Sequence, residues 1–288
     1  MNFIKDILRG VMIGVANIIP GVSGGTMMVS MGIYDKIIGA INSIFRQWKQ
    51  SLKTLLPYAI GMLLSIAGLS FCIDYFFKHF PLQTAFLFIG LIFGGLPVIL
   101  ARLKGKGGGS TAIRGRAALF FLIFFALVIL LQLFGGDNGV EREMKINIGM
   151  ILFLVVLGAI ISASMIIPGV SGSMILMALG YYSPIVSEIS SFIKALLAFD
   201  MDRLLHGFAI LFPFGIGVLA GILLIARLIE FLLKRYELYT YSSILGLVTA
   251  SPVAVLIGIG VGAVSVPAVL VSVLTFGAGF AAAYFLSR

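Results

Sequence analysis

Cysteine is almost absent from this chain. Cys72 stands alone among 288 residues, which excludes an intrachain disulfide framework and a cysteine-based metal cluster. Histidine is nearly as scarce: His79 and His206 have no helical partner at metal-ligand spacing, so neither is assigned a role and no metal site is expected. Charge is thin too, at 11% against roughly 25% in a soluble domain. Lys and Arg number 20 against 11 Asp and Glu, but no basic soluble domain exists to carry that excess onto nucleic acid. Apolar residues fill the space, at 60% of the chain with a mean hydropathy of +1.16. The expected fold is therefore an all-α polytopic membrane protein. The first residues, Met1 to Arg9, intersperse charges and offer no small-residue cleavage site after a clean apolar core, so they are read as part of the mature chain.

Apolar runs of about 20 residues, the length of a spanning helix, lie near 55–77, 82–101, 117–134, 207–229, 238–257 and 263–286. This predicts about six full crossings. Two further apolar segments are interrupted by nearly the same string: Ile18-Ile19-Pro20-Gly21-Val22-Ser23-Gly24-Gly25 and Ile166-Ile167-Pro168-Gly169-Val170-Ser171-Gly172-Ser173. Proline cannot continue a helical hydrogen-bond ladder and glycine permits unusual dihedrals, so each string can turn the chain inside the membrane. Broken backbone at that depth needs a protein-lined cavity, and a matched pair of breaks points to a transporter site. Amides at such tips favour anions, and Ser23, Thr26, Ser171 and Ser173 add hydroxyls. Two tips meeting near the midplane would make a phosphate-sized pocket from Pro20, Gly21, Ser23, Gly24, Gly25, Thr26, Pro168, Gly169, Ser171, Gly172 and Ser173. Close packing of small residues would explain the glycines and serines, but not a proline-initiated string recurring at matched places.

The duplication runs further. Met31-Gly32-Ile33-Tyr34 matches Leu179-Gly180-Tyr181-Tyr182, Leu56-Pro57 with Gly61 matches Phe212-Pro213 with Gly217, and Thr84 with Gly90-Leu91 matches Thr240 with Gly246-Leu247. The chain is accordingly divided into a first repeat (1–103), a basic connector with a bridging helix (104–146), a second repeat (147–257) and a C-terminal helix (258–288).

Charge orients the repeats. If both interrupted segments dip in and return, one side carries Lys5, Arg9, Arg46, Lys49, Lys53, Arg102, Lys104, Lys106, Arg114, Arg116, Lys234, Arg235 and Arg288, and the other only Lys78, Arg142, Lys145, Lys194 and Arg203. If both cross, the contrast shrinks. The positive-inside rule thus favours two re-entrant hairpins. Three crossings then separate the copies, which makes them inverted repeats with both termini cytoplasmic.

Ionisable residues within spans are costly and mark function. Arg227 and Glu230 share a helix face and could pair, with Arg227 helping to bind an anionic headgroup. Asp74, Glu230 or Glu188 could carry a coupling proton. The plainer alternative pairs Asp74 with Lys78 and Glu230 with Lys234 at i,i+4 near helix ends. Catalysis is not expected, since neither Ser23 nor Ser171 has a nearby base in sequence. Trp48 and the tyrosines at 236, 239 and 241 read as interfacial anchors. Asn17 and Tyr34 flank the first tip, where they could line a cavity or simply pack.

The paired Pro-Gly-Val-Ser-Gly segments, Asn17 to Thr26 above all, resemble the signature of the bacterial polyprenyl-phosphate transporter family, PopT, and the likeness covers essentially the whole chain. The second copy departs from it, with Ser173-Met174 where the first has Gly25-Thr26. The resemblance implies a plasma-membrane flippase, not an enzyme and without a cofactor, that returns undecaprenyl phosphate from the outer to the inner leaflet for cell-envelope polymer synthesis. From the residues alone two other classes stay open: a secondary transporter of a small soluble anion, and a membrane scaffold that needs no pocket.

Overall fold

A computed structural model describes residues 3–18, 23–104, 111–134, 144, 146–260 and 265–287, without the side chains at 18, 70, 71, 74, 104 and 111–114. Among the described residues there are twelve α-helices and no strand. The first six are α1 (Phe3–Ile18), α2 (Gly24–Ser30), α3 (Tyr34–Asn42), α4 (Trp48–His79), α5 (Pro81–Lys104) and α6 (Thr111–Phe134). The next six are α7 (Ile148–Ile166), α8 (Gly172–Leu179), α9 (Tyr182–Ala198), α10 (Met201–Arg235), α11 (Glu237–Ile259) and α12 (Val266–Ser287). One order of elements therefore occurs twice: an apolar helix, a break, two short helices and three long ones.

Among the described residues seven helices are long and apolar enough to cross a membrane: α4, α5, α6, α7, α10, α11 and α12. The chain is an integral membrane protein. Six of these helices are the apolar runs expected as crossings. The seventh, α7, is the arm that leads into the second interrupted segment, so seven helices rather than six have the length and composition to cross.

Local sequence sets the helix ends. Asn147 and Asp200 accept hydrogen bonds from the amides of Met150 and Arg203 and so start α7 and α10. Gly180 closes α8 in the left-handed region at φ 76°, a conformation that costs glycine nothing. The α4–α5 and α10–α11 corners are built alike. Thr84 donates to the carbonyls of Phe76 and Phe80, and Thr240 donates to those of Leu232 and Tyr236.

Glycine sets the packing. Helices α1 and α4 cross so closely that a Cβ at Gly10 would lie 2.4 Å from the Tyr58 carbonyl oxygen, and one at Gly61 2.1 Å from that of Ile7. Helices α7 and α10 repeat the crossing, with Gly158 against the Phe214 carbonyl at 2.2 Å and Gly217 against that of Val155 at 2.0 Å. In lipid, where burial of apolar surface adds little between helices, such approach through small residues holds the pair together. The last helix of each half then crosses over. Gly90 of α5 meets the Phe276 carbonyl of α12, and Gly246 of α11 meets the Phe121 carbonyl of α6.

The halves differ in polarity around Asp6. Asp6, 2% exposed, receives Arg9, Lys36 and Tyr58 at 3.0, 3.0 and 2.8 Å, while Arg9 also donates to the Leu286 carbonyl near the end of α12. In the second half the matching region is an apolar cluster built around Leu154, Leu157, Ile185 and Ile210, with Phe214 packed against it.

Candidate functional site

The two interrupted segments meet. The Gly169 amide donates to Thr26 Oγ1 at 2.7 Å, and Ser23 Oγ donates to the Ile167 carbonyl at 3.2 Å. Thr26 Oγ1 also lies 3.5 Å from Ser251 Oγ on α11. Thr26, Ser23 and Ser251 are all buried. Gly169 has φ 79°, and a Cβ there would sit 2.7 Å from the Leu247 carbonyl; a Cβ on Gly25 would sit 2.5 Å from that of Ile166. Glycine at 25 thus permits backbone contact between the two segments, and glycine at 169 permits the second to lie against the backbone of α11. The expected residues Pro20 and Gly21 lie outside the described residues.

The tips are unequal. Around the first, the Gly24 amide donates to Asn17 Oδ1 at 3.0 Å and the Gly25 amide to Ser23 Oγ at 3.2 Å, so the start of α2 is capped by Asn17 from α1 and by Ser23. At the second, Ser171 makes no capping bond to α8; its hydroxyl lies 2.9 Å from that of Ser173 instead. A Cβ on Gly24 would strike Asn17, and one on Gly172 would approach Met165 and Ile161, so both glycines face protein rather than open space.

Beside the second tip, Pro168 and Ile167 close the inner end of a half-open groove of about 600 Å³ between α6, α10 and α11. Its walls are apolar, with Phe120 and Phe124 on one side and Leu228, Ile229 and Leu247 on the other. Phe120, Leu228 and Tyr236 line it while 40%, 50% and 48% exposed, so the groove opens sideways on the surface of the bundle. Arg116, Tyr236, Tyr239 and Thr240 stand at its outer end, where the Phe120 and Tyr239 rings meet at 5.3 Å. Tyr34, 4% exposed, forms part of the wall.

Arg227 does not line this groove; it is exposed on α10. Of the two pairings open to Glu230, the one with Lys234 one turn along forms and the one with Arg227 does not; Glu230 also accepts a 2.6 Å hydrogen bond from Asn42 on α3. Glu188 is buried, with one oxygen 4.0 Å from Arg203 and the other unpartnered among the described residues. The side chain of Asp74 lies outside the described set. No group of three or more His, Cys, Asp or Glu able to hold a metal ion occurs among the described residues.

Residues 13–268 match the family described as VCA0040-like, undecaprenyl phosphate translocase-like. The chain belongs to this family. Family relatives include the polyprenyl-phosphate transporter of Staphylococcus aureus (strain NCTC 8325 / PS 47), 32% identical over 98% of this chain and 95% of the relative. Another is the polyprenyl-phosphate transporter of Vibrio cholerae serotype O1 (strain ATCC 39315 / El Tor Inaba N16961), 29% identical over 86% of this chain and 75% of the relative. No solved structure matches.

Sequence reasoning counted Arg116 only toward topology and left Tyr34 undecided between cavity and packing. Ser251, which reaches the first tip from α11, gave no signal at all. Its helix face could have been read from the period, but not which helix it would meet.

Proposed function

We propose that this protein is a polyprenyl-phosphate flippase that returns undecaprenyl phosphate from the outer to the cytoplasmic leaflet of the bacterial plasma membrane. The observation that carries the proposal is the sideways-open apolar groove, with one cation at its outer end and a motif tip at its inner end. Arg116 and Phe124 are eight residues apart on α6, about 12 Å at 1.5 Å per residue, close to one leaflet of a core about 30 Å thick. The groove thus suits a lipid lying in a single leaflet, phosphate outward and tail inward. A small soluble anion gains nothing from apolar walls.

Contacts between distant segments support re-entrant, inverted hairpins. Lys36, beyond the first tip, bonds to Asp6 before it, so the chain has come back to the level at which it started. Arg9 meets Leu286, Asp35 meets Arg102 and Tyr241, and Asn42 meets Glu230, all on the face to which the hairpin topology assigns the excess of Lys and Arg. Glu188 meets Arg203 on the opposite face. In this reading the unit that repeats has six helices, and each half lends its sixth helix to the other. The groove opens toward the cytoplasmic leaflet, and the uncapped start of α8, with Ser171, Gly172 and Ser173, receives the phosphate during passage. Of the three acidic residues, the buried Glu188 suits a coupling proton best.

A photoreactive amino acid at Phe124 tests the groove. Irradiation in membranes should attach polyprenyl phosphate well above its share of total lipid. Recovery of bulk phospholipid only, in proportion to abundance, would remove the assignment.

A further inference from the structure

The groove contains polar groups that the fold leaves unused. Arg116 is its one charged wall residue, and it makes no ion pair or hydrogen bond among the described residues. Tyr34 is 4% exposed, and its hydroxyl likewise has no hydrogen-bond partner among them. The Tyr34 ring is buried but its hydroxyl is not sealed off, so it opens onto cavity space where a ligand can supply the partner that a tyrosine hydroxyl inside a protein ordinarily finds. Two other hydroxyls of the wall are engaged, Thr240 with the carbonyls of Leu232 on α10 and Tyr236, and Ser243 with that of Tyr239; those of Tyr236 and Tyr239, at the outer end with Arg116, make no hydrogen bond among the described residues.

Position orders the two groups. Arg116 stands at the outer end with Tyr236 and Tyr239. Tyr34 sits against Ile244, one turn or about 5 Å further along α11 than Thr240. The neighbouring residue, Asp35, turns away from the groove and is occupied by the Tyr241 hydroxyl at 2.7 Å and Arg102 at 3.6 Å, so its carboxylate does not neutralise Arg116.

We propose that Arg116 and the Tyr34 hydroxyl form a seat for a lipid phosphate monoester, separate from the motif tips. A guanidinium fork offers paired N–H donors to phosphate oxygens, and the phenol supplies a neutral donor on the tail side. The apolar wall beyond Tyr34 takes the first part of the chain. At roughly 30 Å³ per water-sized group, the volume accommodates about twenty heavy atoms, so a long polyprenyl tail continues from the sideways opening into lipid. The seat rests on the transporter reading and adds where the headgroup waits on the cytoplasmic side.

Binding to the purified full chain in nanodiscs separates the two ideas, with C55 polyprenyl phosphate, the corresponding polyprenol and inorganic phosphate as probes. Wild type should prefer polyprenyl phosphate over polyprenol, and inorganic phosphate should not displace it at equal concentration. R116Q and Y34F should each weaken polyprenyl phosphate binding about tenfold, as expected for loss of a hydrogen bond to a charged group, and leave polyprenol binding and thermal stability unchanged. R46Q, which removes an exposed cation elsewhere, should bind as wild type does. Wild-type binding with R116Q or Y34F unaffected, or R46Q equally weakened, overturns the seat and leaves the transporter reading standing. Failure of wild type to tell polyprenyl phosphate from polyprenol overturns both. Displacement by inorganic phosphate alone would make the site one for a soluble anion.

Discussion

Thr26 Oγ1 accepts a 2.7 Å hydrogen bond from the amide of Gly169, joining two segments 143 residues apart in the chain. Both groups are buried. Replacing Thr26 by valine keeps the shape but leaves the amide unsatisfied, at a cost of about 1–3 kcal/mol. T26V should therefore lower the unfolding temperature in detergent and slow transport, while T26S should do neither. Equal behaviour of the two variants would mean that the hydroxyl does not link the tips.

Glycine substitutions should rank by what a Cβ meets. G169A should be the most damaging, because it adds left-handed strain to contact with the Leu247 carbonyl. G25A should follow, with its Cβ against the Ile166 carbonyl. G277A, which meets nothing within 4 Å, should retain yield and stability. Thermal unfolding of the three purified variants checks the order.

The halves contain a natural exchange experiment. A Cβ on Gly14 of α1 would strike Ser65 Oγ of α4 at 2.0 Å, whereas in the other half the serine and glycine trade places: a Cβ on Gly221 of α10 would strike Ser162 Oγ of α7 at 2.2 Å. G14S alone should destabilise by overpacking, about 1–3 kcal/mol. Adding S65G should restore most of that loss, since the pair then copies the α7–α10 arrangement. A double-mutant cycle with no coupling would contradict the equivalence of the two helix pairs.

Most of the architecture was legible because it is written in hydropathy. The six long runs became helices, and Thr84 and Thr240, paired by sequence, make the same corner. The exchange of α6 and α12 between halves was not legible, because it depends on carbonyls that Gly246 and Gly90 approach across the bundle. At the site, the strings at 18–25 and 166–173 marked where the tips meet. Arg227 looked like the headgroup cation because it lies deep in an apolar run, but helical rotation leaves it outside the groove, which Arg116 lines instead. Rotation about a helix that is apolar nearly all round cannot be read from its sequence.

Among the described residues the Asp6 cluster has no ionic counterpart in the corresponding region of the second half, which folds with Leu154 and Leu157 there. Breaking it by D6N leaves Lys36 and Arg9 without their shared carboxylate and should destabilise by about 3–5 kcal/mol. Replacing the set by apolar residues, as in D6L, R9L, K36M and Y58F together, should recover most of that stability. Denaturation in detergent compares the two constructions; a quadruple variant weaker than D6N would show that the ions are required for folding.

The central claim is tested most directly by transport in liposomes containing the purified protein. Undecaprenyl phosphate placed in one leaflet should reach the other at a rate set by protein density, and T26V should slow it. Omitting either the phosphate or the long tail should abolish the effect. Transport of a soluble phosphate at the same rate, with undecaprenyl phosphate neither moved nor competing, would contradict the account.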